Sequence, residues 1–502
     1  MDRLLPVASD QQRVFVCRLK FLQGTTFVQI SPESLRESVT RRSFLSQYAG
    51  SLGGVAMAHL LASAESRGGD NAAKESSHVR GGGKAKSVIC LFQHGGPSQM
   101  DLFDPKPALQ KYNGQAYPGG KLEVHFDKQK GNVLGSPFKF ARHGGSGIEL
   151  CELLPHTAGI VDDITMIRSM KTESVDHESA LRLIHTGRFL AGMPVWGSWV
   201  VYGLGTENEN LPAYVVLTDP GGLPVDGERN WSSGWLPAIY QGTPFRSGNT
   251  PVLDLKTPAD QPDRARSNQL KWLETLNRDH LKRHTGNTEL EARLKNFETA
   301  ARMQMAVPEL LDFSRETAAT RSLYGIDNPV TAEYGRRCLL ARRLVENGVR
   351  FVQIYMKGQP WDTHSNNAQS LKGLCETTDR PSAALVHDLK QRGLLDSTIV
   401  MWTGEFGRLP ISQGTDGRDH NRHAFSMWIA GGGFKGGYTH GSTDDFGYES
   451  VKDVVTVHDL HATLLHTLGL DHRKLAAQHD GRGTSLTDAD VTGAKLVPEL
   501  LA

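Results

Sequence analysis

The sequence predicts an α/β protein, with a mostly parallel central sheet covered by helices on both faces in a three-layer αβα arrangement. Three observations carry that expectation. Short apolar runs recur at 88–92 (VICLF), 214–217 (YVVL), 351–355 (FVQIY), 397–402 (STIVMW) and 425–430 (FSMWIA). They have the length and bounding turn residues of strands buried on both faces. Between them lie stretches with helical spacing of apolar residues, so strand and helix alternate. Finally, several runs end on His, Asp or Glu followed by small residues, and in open parallel sheets ligands sit beyond the carboxyl ends of the strands.

The first run is the pattern's clearest case. Val88–Phe92 is followed by Gln93, His94, Gly95, Gly96, Pro97 and Ser98, then Asp101 and Asp104. Glycines after a strand-end His permit close backbone approach, which places His94 as a site residue would be placed.

Composition bounds the alternatives. The chain has 502 residues, 38% hydrophobic, with 53 Gly, 23 Pro and a formal net charge of +1. That is globular composition, compatible with two or three domains or one large α/β domain carrying insertions. The near-neutral balance supplies no field for nucleic acid or for an anionic membrane surface. Five cysteines (Cys17, Cys90, Cys151, Cys338, Cys375) form no CxxC, no metal-like spacing and no disulfide framework. Cys90 and Cys338 sit in apolar runs and read as small core residues.

At the N-terminus, Thr40-Arg41-Arg42-Ser43-Phe44-Leu45 matches the twin-arginine export signature. A Gly- and Ala-rich apolar segment runs to Leu61, and Ala62-Ser63-Ala64 is an A-x-A cleavage site. Gln47, Ser51 and His59 interrupt that segment, so no stable membrane span is expected. The expected organisation is a signal region at 1–64, a flexible Gly/Ser/Lys/Ala-rich linker at 65–85, and a folded domain at 86–502 with insertions at about 105–148 and 222–320.

Within the domain, 105–148 reads as a loop-dominated insertion, 149–160 as a helix and 164–167 as a short strand. A helix follows Ser174-Val175-Asp176-His177 and ends at Thr186-Gly187-Arg188. Residues 222–250 form an aromatic loop region, and 261–320 a helical insertion with one solvated face. Residues 333–346 and 383–391 read as helices, and 457–465 as a strand-to-helix entry. The residues at 403–408 and 417–420 are expected in loops at strand ends.

Five of these segments carry His94 with Asp101, His177, Asp362 with His364, Glu405, and Asp419 with His420. Imidazole and carboxylate together suit zinc, manganese or iron, with calcium the poorer match; a set of six or seven suits two ions about 4 Å apart. His458, His461, His466 and His472 lie in or beside a helix and read as structural.

HGGPSQMDLFDPKP, SGWLPAIYQG, WDTHS, GEFGR, GRDHNRHAFSMWIAGGG and VHDLHATLLHTLGLDH resemble the marks of domain-of-unknown-function family 1501. Its members are sulfatase-like secreted proteins common in planctomycetes, and the resemblance covers nearly everything after Lys86. More broadly, segments 88–104, 149–188 and 350–472 resemble the alkaline phosphatase-like superfamily of sulfatases, phosphomutases and nucleotide pyrophosphatases. That resemblance implies metal ligation by His94, Asp101, Asp362, His364, Glu405 and His420. It puts His177 at the position where a sulfatase has its nucleophile, and Phe406 where a second ligand would stand. With no Ser, Thr or Cys at that position, His177 is expected as a ligand or catalytic group, with metal-activated water as the attacking species. Arg408, and less so Arg188, could hold an anionic oxygen. The implied function is an exported metal-dependent hydrolase holding one or two divalent ions. Its substrate would be an anionic ester of phosphate or sulfate, such as a sulfated or phosphorylated glycan. The alternative is a non-catalytic envelope protein of the same fold that binds glycan or a partner protein. Oligomeric state is left open.

Overall fold

The computed structural model describes residues 82–246, 263–285 and 288–502, together with the backbone of an antiparallel hairpin, Phe15–Lys20 with Thr25–Ile30. The chain divides into two compact units, Met1–Ala72 and Ala73–Ala502, and the hairpin belongs to the first. The twin-arginine motif, the segment after it and most of the linker lie outside the described residues.

The second unit is built on one nine-stranded sheet. Eight strands lie along its path: β1 (Ser87–Phe92), β3 (Ile164–Lys171), β4 (Tyr214–Leu217), β5 (Thr243–Phe245), β6 (Phe351–Tyr355), β7 (Thr398–Thr403), β10 (Phe425–Ala430) and β11 (Tyr438–His440). Their spatial order is β11-β3-β10-β7-β1-β6-β4-β5, with β12 (Val455–Thr456) also pairing with β3. All pairings are parallel except those of β10, which runs antiparallel to both its neighbours. The mostly parallel sheet and the flanking helices are therefore as the sequence predicts. A smaller antiparallel sheet joins β2 (Lys130–Val133), β8 (Gly407–Gln413) and β9 (Gly417–Asn421) in the order β9-β8-β2.

Strand alternation divides the core. On β1, Val88, Cys90 and Phe92 pack on one face with α1 (His177–Thr186), α2 (Trp196–Leu204) and α7 (Val457–Thr467). Ile89 and Leu91 point to the other face, against α5 (Ala332–Glu346) and α6 (Asn367–Gln391). Period-2 side chains on a fully buried strand require cover on both sides, so the third layer follows from the first. The 261–320 insertion holds two long helices, α3 (Asp263–Arg283) and α4 (Thr288–Leu311).

Three local readings are corrected. Residues 149–160 are not a helix: Ile148–Cys151 pairs with Phe140–His143 in a hairpin, and Thr157–Asp163 is a 3₁₀ turn. Pro155 disfavours helical backbone in the residue before it. Conversely, α6 begins sixteen residues before 383 and runs through Pro381. Proline inside a helix costs about 3 kcal/mol, here offset by burial of Leu371, Cys375, Leu385 and Leu389 in the core. Residues 407–413 and 417–421 are strands rather than loops. Both are buried; the first carries only Leu409 and Ile411 as apolar residues and the second none, so the continuous apolar run that marks the other strands is missing.

Candidate metal centre

Four side chains converge beyond the end of the sheet. One ligand atom from each of His177, Asp362, His364 and His420 lies within 4.8 Å of the others. They come from three local devices: a helix start, one turn that carries two of them, and a strand. His177 opens α1, whose first turn is capped by Asp176 accepting the Ser179 N–H at 2.9 Å. The far end of α1 is closed by Gly187 in the left-handed region (φ 67°), where a Cβ would meet the Leu486 carbonyl at 2.3 Å. From α7, His458 and His461 donate to the Gly187 and Ile184 carbonyls, each at 2.9 Å. Those are carbonyls that a helix end leaves without partners.

Asp362 and His364 sit in the turn between β6 and α6. This turn is drawn onto β1 by the Trp361 N–H donating to the His94 carbonyl at 3.0 Å, and by the Trp361 indole donating to Gln93 at 2.9 Å. Gly95 makes the approach possible: a Cβ there would lie 2.3 Å from the Asp362 nitrogen. His420 is on β9, which is tied to the same turn by the Arg418 N–H donating to the Thr363 carbonyl at 3.0 Å.

The imidazoles share one arrangement. Nδ1 of His177 faces Glu405 Oε1 at 2.7 Å, Nδ1 of His420 faces the Val175 carbonyl at 2.6 Å, and Nδ1 of His364 bonds Gln413 Oε1. Each Nδ1 meets an acceptor, so each carries the proton and donates. In the neutral form of each ring that leaves Nε2 as the lone-pair nitrogen, and all three point at Asp362, at 3.3, 3.2 and 2.9 Å for His177, His420 and His364 respectively. Lone pairs facing carboxylate oxygens repel unless a cation or a proton stands between them. A divalent ion fits this donor set, since outer acceptors that fix Nδ1–H are how proteins orient metal-binding imidazoles.

The electrostatics follow from this crowding. Burial pushes the Asp362 carboxyl up, but in the absence of an ion hydrogen bonds from the His177, His364 and His420 imidazoles, with the Arg408 guanidinium, overcome it and hold the group well below the usual carboxylate range. Burial likewise pushes His177 down, yet Asp362 and Glu405 carry it up to about 9, so without an ion at neutral pH a proton on His177 stands where the cation would. At His420 burial wins and the value falls to about 4.

The other candidate residues have different surroundings. Glu405, fully buried, accepts from His177 and from the Gly95 N–H at 2.9 Å, so it touches a ligand of the cluster and is not one of the four. His94 is buried against Phe92 and Tyr355, with neither ring nitrogen hydrogen-bonded; burial and the nearby His185 and His177 keep it neutral. Asp101 stands apart from the cluster. It is paired with Arg418 at 2.7 and 3.0 Å and also accepts from Ser98 and Asn367, so its oxygens are taken up by structural donors. Arg408 is wholly buried and donates to the Gly95, Gly96 and Arg418 carbonyls and to Asp362 at 2.6 Å. It is a positioning residue for Asp362, not an open clamp for a substrate. Arg188 pairs with Asp488 at 2.7 Å. Asp419 accepts the backbone N–H groups of His125 and Phe126 at 2.8 and 2.9 Å.

Two contributors escaped sequence reasoning. Gln413 lies on a polar strand, and His125–Phe126 lie in an insertion read as loop. Their only mark is an apolar-aromatic pair of residues, Val124 and Phe126, amid Gly and Lys.

Fold and site together define a three-layer α/β protein with a candidate His3Asp metal centre at the end of its sheet. The chain belongs to the family described as "Protein of unknown function (DUF1501)", whose model matches residues 85–501. A search of curated proteins finds no match. Among solved structures, it is similar to the PsFucS1 sulfatase from Pseudoalteromonas sp. at 12% identity, over 77% of this chain and 68% of that one, with a TM-score of 0.34. It is similar to the phosphonate monoester hydrolase SpPMH from Silicibacter pomeroyi at 11% identity, over 82% and 77%, with a TM-score of 0.32. A third, Ps i-CgsB in complex with k-i-k-neocarrahexaose, matches at 10% identity over 82% and 77%, with a TM-score of 0.34. Likenesses this distant carry no argument about chemistry, and the reading of the site rests on its geometry. Among the described residues no helix is long and apolar enough to cross a membrane.

Proposed function

We propose that the protein is an exported metal-dependent hydrolase of phosphate or sulfate esters. The observation that carries this reading is the convergence of three Nε2 lone pairs on Asp362, with every Nδ1 proton committed elsewhere. A bound zinc, manganese or iron ion would supply a nucleophilic water near neutral pH and positive charge for the ester's oxygens. This chain's residues do the rest. Glu405 fixes the His177 ring, and Val175 and Gln413 fix the other two. Arg408 holds Asp362 in place. No hydroxyl or thiol opens α1 where a covalent nucleophile would stand, which favours direct attack by water over a covalent intermediate.

The test is elemental analysis of protein purified without a His-tag, followed by turnover of 4-nitrophenyl phosphate and 4-nitrophenyl sulfate. We expect bound transition metal, and turnover of one ester that is lost on chelation and restored by the ion. A protein that takes up no zinc, manganese or iron overturns the metal centre. Stoichiometric metal with no turnover of either ester transfers the case to a binding protein. Export is tested separately. Changing Arg41 and Arg42 together to Lys should retain the precursor in the cytoplasm, since the guanidinium pair is not replaced by ammonium charge; normal export of that variant removes the twin-arginine reading.

A further inference from the structure

One feature of the metal centre is contributed by the 105–148 insertion. The backbone N–H groups of His125 and Phe126 both donate to Asp419 Oδ2, at 2.8 and 2.9 Å. Asp419 immediately precedes His420, so this short strap is anchored to the strand that carries a metal-cluster residue. The anchoring sets two rings over the cluster. His125 stacks on His420 with centroids 5.2 Å apart and planes at 23°. Phe126 meets His364 edge to face, 5.2 Å away at 88°, and lies 6.3 Å from His420.

Phe126 is 40% exposed, as are ten other large apolar side chains of the described residues to a similar or greater degree. A scattered apolar residue on a surface needs no explanation. This one differs because its backbone is held by a carboxylate and its ring stands against two of the four cluster residues. An apolar wall beside a few convergent polar groups is how small-molecule sites fix orientation. Phe offers no hydrogen-bonding tip, so what it can recognise is a ring face: the apolar side of a sugar or an aryl ring.

We propose that Phe126 is a specificity-determining residue of this site, forming the platform on which the alcohol part of a ring-bearing ester lies. The inference rests on the hydrolase reading above and adds the substrate class to it: esters whose alcohol carries a ring close to the ester oxygen. Acyclic esters lack the contact.

The experiment compares three phosphate monoesters with the same kind of primary leaving oxygen: ethyl phosphate, benzyl phosphate and glucose 6-phosphate, or the matching sulfates if sulfate is the ester turned over. The readout is the ratio of kcat/KM for a ring ester to that for the ethyl ester. In the wild-type protein this ratio should exceed one for benzyl or glucose, and which of the two it favours separates an aryl from a sugar substrate. Phe126→Ala should lower the ratio about five- to tenfold at unchanged metal content, and Phe126→Trp should restore it. A merely structural role would lower all three esters together and leave the ratio unmoved; that result, or a wild-type ratio of one, overturns the proposal while the hydrolase reading stands. A wild-type protein that turns over none of the esters removes the hydrolase reading, and the platform falls with it.

Discussion

Two carboxylates near the end of the same sheet, one fully and one partly buried, show what separates a structural charge from a site. Asp101 and Asp362 both follow a strand of the central sheet, and each has an arginine beside it. Around Asp101 every partner is a donor: Arg418 twice, Ser98 Oγ and Asn367 Nδ2. Burial raises that carboxyl and Arg418 more than reverses the effect, so the group is charged and fully matched. Around Asp362 the donors are Arg408 and Gln359, but three imidazole nitrogens also face it, on rings whose Nδ1 protons are committed elsewhere. The first arrangement is complete as it stands. The second is complete only with a metal ion or with protons taken up by the imidazoles.

The largest effect should come from breaking the second arrangement. Asp362→Asn removes the negative charge that gathers the three imidazoles, and metal content should fall below about a tenth of wild type, since deprotonated ligand charge is much of a site's affinity. Inductively coupled plasma measurement on the purified variant checks this, and retention of full metal would mean that the three histidines alone hold the ion. The matching change at the other carboxylate, Asp101→Asn, should act on stability. Removing one partner of a buried ion pair costs about 3–5 kcal/mol because it strands the other charge. Denaturant unfolding should register that loss, while the folded fraction keeps its metal.

The contrast also explains what was legible in the sequence. Residue type and position beyond a strand were enough to select His177, Asp362, His364 and His420, because the apolar runs before the first three elements locate the end of the sheet. The same rule also selected Asp101, since spacing cannot reveal that Arg418, 317 residues later, would occupy it. Arg408 was read as an anion clamp because the sequence does not show that its guanidinium meets backbone carbonyls of the Gly95–Gly96 turn. The main sheet was readable from its doubly buried strands. The small sheet was not, because Gly417–Asn421 is buried through hydrogen bonds and ion pairs and carries no apolar periodicity. The helix α6 was underread at Pro381, where tertiary burial overrides local propensity.

A smaller change sharpens the distinction between ligand and support. Glu405 touches only His177 among the four, so Glu405→Gln should weaken metal affinity about 10- to 100-fold without abolishing binding. Competition with a chromophoric chelator measures this; loss as complete as in Asp362→Asn would instead make Glu405 a ligand.

Of similar size is an acid effect that belongs to neither carboxylate. His185, on α1 two turns beyond His177, and His461, on α7, are buried and are not among the four cluster residues, and burial lowers them to about 4 and about 3. Below about pH 6.5 the unfolded chain protonates these imidazoles and the folded one does not, so folded stability falls as pH falls through that window. Between pH 7 and 5.5 the two together should lose about 2–3 kcal/mol. It should persist in metal-free protein and shrink in His461→Gln. A stability independent of pH over this range would contradict the buried, neutral state of both rings.

The smallest effect is expected at Arg188, which closes the Thr186-Gly187-Arg188 turn and is the second arginine that chemistry alone would offer to an anionic ester. Its guanidinium lies 2.7 Å from Asp488, with side-chain exposures of 21% and 13%, and Asp488 is shared with the exposed Arg482 at 3.1 Å. A partly exposed pair contributes at most about 1 kcal/mol, and Asp488 keeps a second cation when Arg188 is replaced. Arg188→Gln should therefore change unfolding free energy by less than about 1 kcal/mol and leave both metal content and the KM for the ester where they were. A tenfold rise in KM at constant kcat would show instead that Arg188 leaves Asp488 to bind substrate. It would then supply the open guanidinium that Arg408, enclosed by carbonyls and Asp362, does not provide.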